Sequence, residues 1–381
     1  MKLNFSFSKI VLFSVVLSFI FIREIGRQAY LIGIRWVYLL LLSAGLSYLL
    51  TPFAIWIANK FNILDYPSER KIHSLPTPRV GGIAIFFAIV ITLLRNVQFT
   101  KEIISFLVAI CIIFLVGFLD DVYDLPASLR LAVQIITSLI IIFFGYRITA
   151  IPRGFPFEHL LEVIITVVWF VGIINAVAFL DGIDGLVSGF GAFCSTIFLV
   201  IALTTGQKHL SYLCAVVAGS CLGFLPYNWY KAKTFLGECG ATVVGFMLAS
   251  ISVIGWWSEE KPIVSLTVPV LVLSVPIYDM IYITISRIVR GEIRSVKEWL
   301  EYTGKDHIHH RLLNLGFPVP YAVVFILLTT LSVGFYSLFI KYFCPNDFTA
   351  VLLLVQVSLV FILITIIMIT SAKKKNEIIK I

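Results

Sequence analysis

Residues 175–186 read Asn-Ala-Val-Ala-Phe-Leu-Asp-Gly-Ile-Asp-Gly-Leu and follow an apolar run that extends from 160 to 174. Asp181 and Asp184 are three residues apart, so a helix that continued through them would carry both carboxylates on one face. The two glycines that follow these acids leave the backbone open to close approach by a ligand. An ionisable group at the edge of a membrane is costly and usually functional. The stretch therefore predicts a membrane helix that ends in a binding site.

The composition is that of a membrane protein. Of 381 residues, 60% are hydrophobic and only 13% are charged, which excludes a soluble globular domain. A membrane-spanning helix needs roughly 20 apolar residues, and the chain contains about eleven such runs. They lie near 36–57, 80–94, 103–119, 131–145, 160–179, 188–205, 210–228, 241–257, 263–286, 319–340 and 348–370. We therefore expect an all-α, polytopic integral membrane protein.

The ends of the chain differ from this central region. Residues 36–372 are expected to form one membrane domain, and residues 373–381 a basic cytoplasmic tail. Residues 1–35 are an N-terminal hydrophobic segment with an additional run from Phe5 to Ile22. No small-residue cleavage site precedes Arg23, so this run is read as an extra span or an interfacial helix rather than a signal peptide.

The net charge of +8 reflects topology and not nucleic-acid binding, because the basic residues are spread over short loops. Loops after the first, third, fifth, seventh and ninth runs carry more Lys and Arg than the opposite loops. These loops are therefore expected to be cytoplasmic. Most of the carboxylates lie on the same side, which predicts an active site there. The six cysteines are scattered and are expected to be free thiols.

Two further acidic stretches on that side carry chemistry. Residues 118–124 read Phe-Leu-Asp-Asp-Val-Tyr-Asp, and crowded carboxylates either bind Mg²⁺ or provide a base with a raised pKa. The alternative is a solvated helix end capped by Asp124. The same spacing occurs in prenyl-diphosphate synthases, but those enzymes are soluble. Asp279 lies inside an apolar run, either as a buried structural acid or as a metal ligand, and the second is favoured.

Two loops are rich in cations. The stretch 65–82 contains Lys71, His73 and Arg79, which suit phosphate binding, although composition alone favours an ordinary cytoplasmic loop. The stretch 306–312 reads Asp-His-Ile-His-His-Arg-Leu, with three histidines in four residues. It lacks the His-x-x-x-His spacing of a zinc site. A diphosphate-binding role is therefore preferred for this cluster.

Taken in order, these motifs resemble the polyprenyl-phosphate N-acetylhexosamine-1-phosphate transferases, glycosyltransferase family 4. The resemblance covers about 260 residues, from Asp65 to Gly316. It implies transfer of N-acetylhexosamine-1-phosphate from a UDP-sugar to undecaprenyl or another polyprenyl phosphate, with Mg²⁺ or Mn²⁺ as cofactor and UMP as product. Pro78-Arg79 and the histidine cluster resemble the N-acetylglucosamine-type enzymes. A phospho-N-acetylmuramoyl-pentapeptide transferase and an inactive relative are the alternatives.

The resemblance also implies roles for individual residues. Asp120, Asp121 and Asp279 are the expected catalytic residues, and Asp279, Asp120 and Asn175 the expected metal ligands. The residues expected to bind substrate are Lys71, His73, Asp181, Asp184, His307, His309, His310 and Arg311. The chain departs from the family pattern at Ala178, where an Asn is common, and at Glu238 and Ala241, where Asp and Ser are usual.

Two other classes of function remain open at this stage. A proton-coupled transporter would place acids deep in several spans on both sides of the midplane, whereas here they cluster at one face. A catalytically silent membrane scaffold would fit the three departures. The expected partners are the UDP-sugar, the polyprenyl phosphate and membrane lipid, with no nucleic acid; a homodimer is left open. The expected location is the inner (plasma) membrane, with the site facing the cytoplasm.

Overall fold

The computed structural model describes residues 18, 23–67, 75–96, 101–149, 151, 154–257, 262–295, 298–299, 304, 306–343 and 346–379. Within these residues the chain is nearly all helix, as expected. The helices are α1 Arg23–Leu31, α2 Arg35–Lys60, α3 Gly82–Asn96, α4 Lys101–Tyr123, α5 Ala127–Phe143, α6 Glu158–Phe179, α7 Leu186–Thr204, α8 Lys208–Asn228, α9 Gly237–Ile254, α10 Pro262–Val272, α11 Ser274–Val289, α12 Ile308–Asn314, α13 Val319–Phe343 and α14 Asp347–Ile379.

The helices agree with the apolar runs of the sequence. Eight of the described helices are long and apolar enough to cross a membrane, and α10 and α11 together pass the same test as a bent pair. The helices α3 and α5 are apolar but shorter. The eleven runs thus correspond to eight long helices, one bent pair and two short helices, and the polytopic all-α prediction is confirmed. The run Phe5–Ile22 lies outside the described residues, except for Ser18.

The centre of the bundle consists of α7, α8 and α9, in each of which 78% of the most apolar window is buried inside the protein. Glycines allow α8 to lie against α2 at short range. A Cβ atom at Gly219 or Gly223 would collide with the backbone carbonyls of Leu40 or Ala44. Small residues commonly mediate this kind of close helix packing in membranes. By contrast, only 22% of the most apolar window of α14 is buried, so this helix lies at the periphery.

The ninth run was expected to be one span, 263–286, and this is wrong in detail. The helix breaks at Leu273, and α10 and α11 meet at an angle of 85°. Pro276 has no N–H to donate to the carbonyl of Val272, which would be its partner in a continuous helix. That carbonyl instead accepts a bond from the thiol of Cys194, with 3.3 Å between Sγ and O. The proline therefore lies in the first turn of a new helix.

A two-stranded antiparallel sheet, not expected from the sequence, closes the loop between α2 and α3. The strands are β1 Leu64–Asp65 and β2 Thr77–Pro78, with Leu64 opposite Pro78. The carbonyl of Pro78 also accepts the backbone N–H of Phe235 at 2.7 Å. This sheet fixes the loop before α3 against the segment before α9, so Arg79 is positioned at the same end of the bundle as Glu238.

Candidate active site

The stretch 181–185 forms a turn between two central helices. The helix α6 ends at Phe179 and α7 begins at Leu186, so the expectation that one helix carries both carboxylates is wrong. Gly185 has φ of +78°, a left-handed conformation that stops a helix and favours glycine. Asp181 and Asp184 therefore lie in a connecting turn at the end of the bundle, where the chain reverses direction.

The two acids of this turn have different surroundings. A carboxylate oxygen of Asp184 accepts the backbone N–H of Ala232 at 3.0 Å, which ties the turn to the segment before α9. Asp181 is instead enclosed among acids. Burial, together with the charges of Glu238, Asp121 and Asp184, raises the pKa of Asp181 to about 8. Asp181 is therefore a site of excess negative potential.

The two adjacent acids at the end of α4, Asp120 and Asp121, also make different contacts. One oxygen of Asp120 accepts the N–H of Leu125 at 2.7 Å, and the other lies 3.1 Å from Nη1 of Arg130. Both oxygens of Asp121 accept backbone N–H groups at the start of α9, from Glu238 at 2.9 Å and from Cys239 at 3.0 Å. Asp121 is thus an N-terminal cap supplied by another helix, whereas Asp120 belongs to an ion-pair cluster.

Two arginines connect these acids. Arg130 is 3.6 Å from Oε1 of Glu238 as well as 3.1 Å from Asp120. Arg79 contacts Asp121 at 3.3 Å. Within the described residues, Asp120, Asp121 and Glu238 are thus paired with these two guanidinium groups, and Asp181 lies among them with a raised pKa. A divalent cation bound here would favour the ionised form of Asp181.

Asp279 links α11 to the histidine cluster. Its Oδ2 is 2.8 Å from Nδ1 of His307, and its Oδ1 accepts the backbone N–H of Ile308 at 2.8 Å. Asp279 therefore orients an imidazole and caps α12 at the same time. Oxygen lone pairs remain on a carboxylate with two such partners, so the expected metal role of Asp279 remains a prediction.

A second acid supports the cluster from the other side. Asp306 receives hydrogen bonds from Arg287 at 2.9 Å and from Arg290 at 3.2 Å. Burial alone would raise the pKa of Asp306, but the hydrogen bond and charge of Arg287 lower it below its ordinary value. The carbonyl of Asp306 also accepts a hydrogen bond from Nε of Arg311 at 2.6 Å. The guanidinium carbon of Arg311 lies 4.5 Å from the ring centroid of Tyr282.

The histidine cluster meets the turn of Asp181 directly. His309 is buried, and a Cβ atom on Gly182 would overlap its Nε2. Among the residues that the structure describes, neither ring nitrogen of His309 has a hydrogen-bond partner. Burial, with the neighbouring His310 and His307, lowers the pKa of His309 well below its usual value. The ring is therefore neutral at pH 7, and it seats α12 against the turn.

Asn175 is engaged by a residue that the motif reading did not include. Its Nδ2 donates to Oε1 of Gln134 at 2.6 Å and to the carbonyl of Val171 at 2.8 Å. The Oδ1 atom has only a 3.5 Å contact with Gln134, so this oxygen remains available for a ligand. In the sequence, Gln134 stands out only as a polar amide inside the apolar run 131–145.

His310 belongs to the cluster through its ring, whose centroid lies 4.3 Å from that of His309. Lys71 and His73 lie in 68–74, outside the described residues. Among the residues that the structure describes, one group of three His, Cys, Asp or Glu side chains has ligand atoms within 4.8 Å of one another. That group is Glu158, His159 and Glu162, at the opposite end of α6. The metal set Asp279, Asp120 and Asn175 therefore remains a prediction.

Comparison with known proteins gives the family. A model described as Glycosyl transferase family 4 matches residues 103–256. A probable undecaprenyl-phosphate N-acetylglucosaminyl 1-phosphate transferase of Bacillus subtilis (strain 168) is 33% identical over 288 residues, 74% of this chain and 78% of that protein. The chain belongs to glycosyl transferase family 4.

Other family 4 relatives are similarly distant. The decaprenyl-phosphate N-acetylglucosaminephosphotransferase of Mycobacterium leprae (strain TN) is 30% identical over 382 residues, 91% of this chain and 93% of that protein. An undecaprenyl-phosphate alpha-N-acetylglucosaminyl 1-phosphate transferase of Thermotoga maritima is 32% identical over 268 residues, 70% of this chain and 79% of that protein. The resemblance read from the motifs is thereby confirmed.

Proposed function

We propose that this family 4 protein transfers N-acetylglucosamine-1-phosphate from UDP-N-acetylglucosamine to a polyprenyl phosphate and releases UMP. The activities after which the relatives are named support the sugar phosphate and the prenyl acceptor. The positive-inside bias of the loops supports a site at the cytoplasmic face of the plasma membrane. The product would be the first lipid-linked intermediate of a cell-envelope glycan.

One observation carries the proposal. Carboxylates from α4, α9 and the turn before α7 gather at one end of the bundle, and two arginines only partly neutralise them. The histidine cluster contacts the same turn through His309. An acidic centre bordered by imidazole and guanidinium groups suits a diphosphate that is bound together with a divalent cation. A proton relay would not need this convergence at one face.

Asp120, Asp279 and Asn175 are the residues that would hold Mg²⁺ or Mn²⁺. When bound, such a cation neutralises phosphate oxygens and makes UMP a better leaving group. Oδ1 of Asp120 accepts the backbone N–H of Leu125, which fixes the carboxylate, and Oδ2 faces Arg130. Asp120 is therefore placed to orient the acceptor phosphate or to take its proton.

The other groups of the chain act by position and charge. Asp279 fixes the ring of His307 through Nδ1 and leaves Nε2 to face a ligand. Arg311 is held against Tyr282 and Asp306. These two side chains would bind the oxygens of the transferred phosphate, where negative charge develops during phosphoryl transfer. Asp181 and Asp184 shape the pocket for the nucleotide sugar.

The test is UMP exchange by the purified protein with UDP-N-acetylglucosamine and undecaprenyl phosphate, with and without Mg²⁺. We expect Asp120→Asn and Asp279→Asn to lower the rate by about 100-fold or more. Asp124→Asn is the matched control, because the side chain of Asp124 is 90% exposed. Normal exchange by Asp279→Asn would contradict the site, and exchange only with UDP-N-acetylmuramoyl-pentapeptide would contradict the donor.

A further inference from the structure

A cavity of about 320 Å³ lies at the end of the bundle opposite Asp181. Its walls come from the segment after α5, from α6, from the end of α9 with the loop that follows, and from α10. Ligand pockets commonly have volumes of about 300 to 1,000 Å³. The acid cluster of the active site does not line this cavity, so the proposed transfer reaction does not account for it.

The aromatic walls of the cavity are fixed in place. Trp169 and Trp257 donate their indole N–H groups to the hydroxyl and to the carbonyl of Ser252, each at 2.7 Å. Gln207 holds the backbone of Trp256 through two hydrogen bonds, of 2.8 and 2.9 Å. The side chain of Trp256 is 71% exposed at the mouth. Tryptophan is favoured at this level of a bilayer, where an apolar body meets polar headgroups.

A guanidinium group is held beside these rings. Arg147 lines the cavity, and its Nε lies 3.0 Å from a carboxylate oxygen of Glu162, whose side chain is only 3% exposed. Its Nη2 lies 3.3 Å from Nδ1 of His159. Among the described residues, no contact is made by Nη1. An arginine oriented by a buried carboxylate is well suited to bind a phosphate.

Negative charge lies close to Arg147, behind the residues that line the cavity. Glu158 lies with His159 and Glu162 in a group whose ligand atoms are within 4.8 Å of one another. The positive charge of Arg147, with Nε 3.0 Å from Oε2 of Glu162, disfavours a metal ion at that carboxylate. Both signs of charge are thus present beside a cavity whose walls are partly polar and partly apolar. A zwitterion matches them better than an anion does.

We propose that this cavity binds one zwitterionic bilayer phospholipid with a primary ammonium headgroup. Its phosphate would contact Arg147, its ammonium group Glu158, and an acyl chain would lie between α6, α9 and α10. The apolar part of the wall includes Ile254, Leu266 and Pro269. Binding of this lipid would be separate from turnover, so it can be measured without the proposed reaction.

The test is native mass spectrometry of the delipidated full chain, titrated with phosphatidylethanolamine, phosphatidylglycerol or phosphatidylcholine. We expect one phosphatidylethanolamine adduct per chain. The double variant Arg147→Gln/Glu162→Gln, which leaves no unpaired buried charge, should bind it about tenfold more weakly. Glu158→Gln should lose the preference for phosphatidylethanolamine over phosphatidylglycerol. Ser265→Trp fills the cavity, keeps Arg147 paired, and should remove the adduct.

Arg27→Gln is the matched control, because Arg27 is an exposed arginine that pairs with Glu24 near the same end of the bundle. It should bind the lipid like the unaltered chain. Adducts that persist in both the double variant and Ser265→Trp would overturn the proposal. Displacement of the phospholipid by undecaprenyl phosphate would also overturn it, because the cavity would then belong to the prenyl carrier.

Discussion

At the scale of single residues, Asp181 has the most unusual environment of the acids in the connecting turn. Its folded pKa of about 8 is above the ordinary 3.8, so the folded metal-free protein binds one more proton than the unfolded chain between these values. Stability must therefore fall as the pH rises from about 4 to about 8. We expect Asp181→Asn to flatten this decline and to raise the free energy of unfolding near pH 8 by about 1 to 3 kcal/mol.

The measurement is thermal unfolding of the detergent-purified protein in EDTA at pH values from about 5.5 to about 8.5, a range that includes the raised pKa of Asp181. The same variant should lose transferase activity, because a stabilised site commonly loses function. Unchanged pH dependence in Asp181→Asn would show that another group is responsible for the decline.

Asp121 and Asp124 have opposite environments in the same motif. The side chain of Asp121 is fully buried and accepts two backbone N–H groups of α9, whereas that of Asp124 is 90% exposed. Asp121→Asn turns one acceptor oxygen into a donor that faces those N–H groups, and it leaves Arg79 with only the 3.7 Å contact to Asp124 among the ion pairs of the described residues. We expect a loss of about 2 to 4 kcal/mol in unfolding free energy, and Asp124→Asn should change it by less than about 0.5 kcal/mol.

The measurement is chemical unfolding of both variants. Because the substitution is the same at the two positions, a difference between their unfolding free energies reports the difference in burial and contacts. Equal stability of the two variants would contradict the capping role of Asp121. The sequence predicts that this aspartate is important, but not that it caps a helix more than a hundred residues away. That partner is set by tertiary packing, which no local pattern contains.

At the scale of elements, the turn 181–185 and the helix α12 act as one unit. Gly182 lies where a Cβ atom would overlap Nε2 of His309, so Gly182→Ala must push α12 and its histidines away. A displacement of about 1 Å at such a site can cost about 100-fold in rate, and we expect a loss of that order in UMP release with little change in melting temperature.

Gly172→Ala is the matched control for this change. In the interior of α6, its added Cβ atom would meet nothing closer than Cε of Met280, at 3.8 Å. Alanine is favoured over glycine in a helix interior by roughly 1 kcal/mol, so this variant should be slightly more stable and fully active. Normal activity in Gly182→Ala would show that α12 does not depend on close contact with the turn.

The elements also show where sequence reasoning succeeds and fails. Long apolar runs mark spans such as α7 and α8 because their lengths match the bilayer. Pro276 indicates a disrupted hydrogen bond just before it, where the helix does break, but a missing donor does not give the angle of 85°. The one-helix reading of Asp181 and Asp184 failed because the helix α6 already ends at Phe179, before both acids. Spacing alone cannot show where a helix ends.

At the scale of the whole molecule, distant parts of the chain meet at one end of the bundle. Asp120 on α4 contacts Glu238 on α9 through Arg130, and the turn of Asp181 contacts His309 on α12. The sequence predicts that these motifs share one side of the membrane, because span parity fixes which loops face the same way. The linking residues Arg130 and Gln134 were not assigned roles, since they lie outside the motifs.

The sidedness of this arrangement can be tested with the two ends of α8. This helix has 21 residues from Lys208 to Asn228 and is about 31 Å long, enough to cross the hydrocarbon core. Lys208 is exposed near one end, and Lys233 is exposed just beyond the other, on the side of the acid cluster. Lys208→Cys and Lys233→Cys therefore report on opposite faces.

Both variants are made with Cys111 and Cys344 replaced by serine, since Cys111 is exposed. The positive-inside bias predicts that a membrane-impermeant maleimide labels Lys208→Cys in intact cells and labels Lys233→Cys only after permeabilisation. This pattern would place Asp181 and the histidine cluster where a nucleotide sugar is made. The reverse pattern would put the acids on the outer face, away from any cytoplasmic donor, and the proposed transfer reaction would then fail with it.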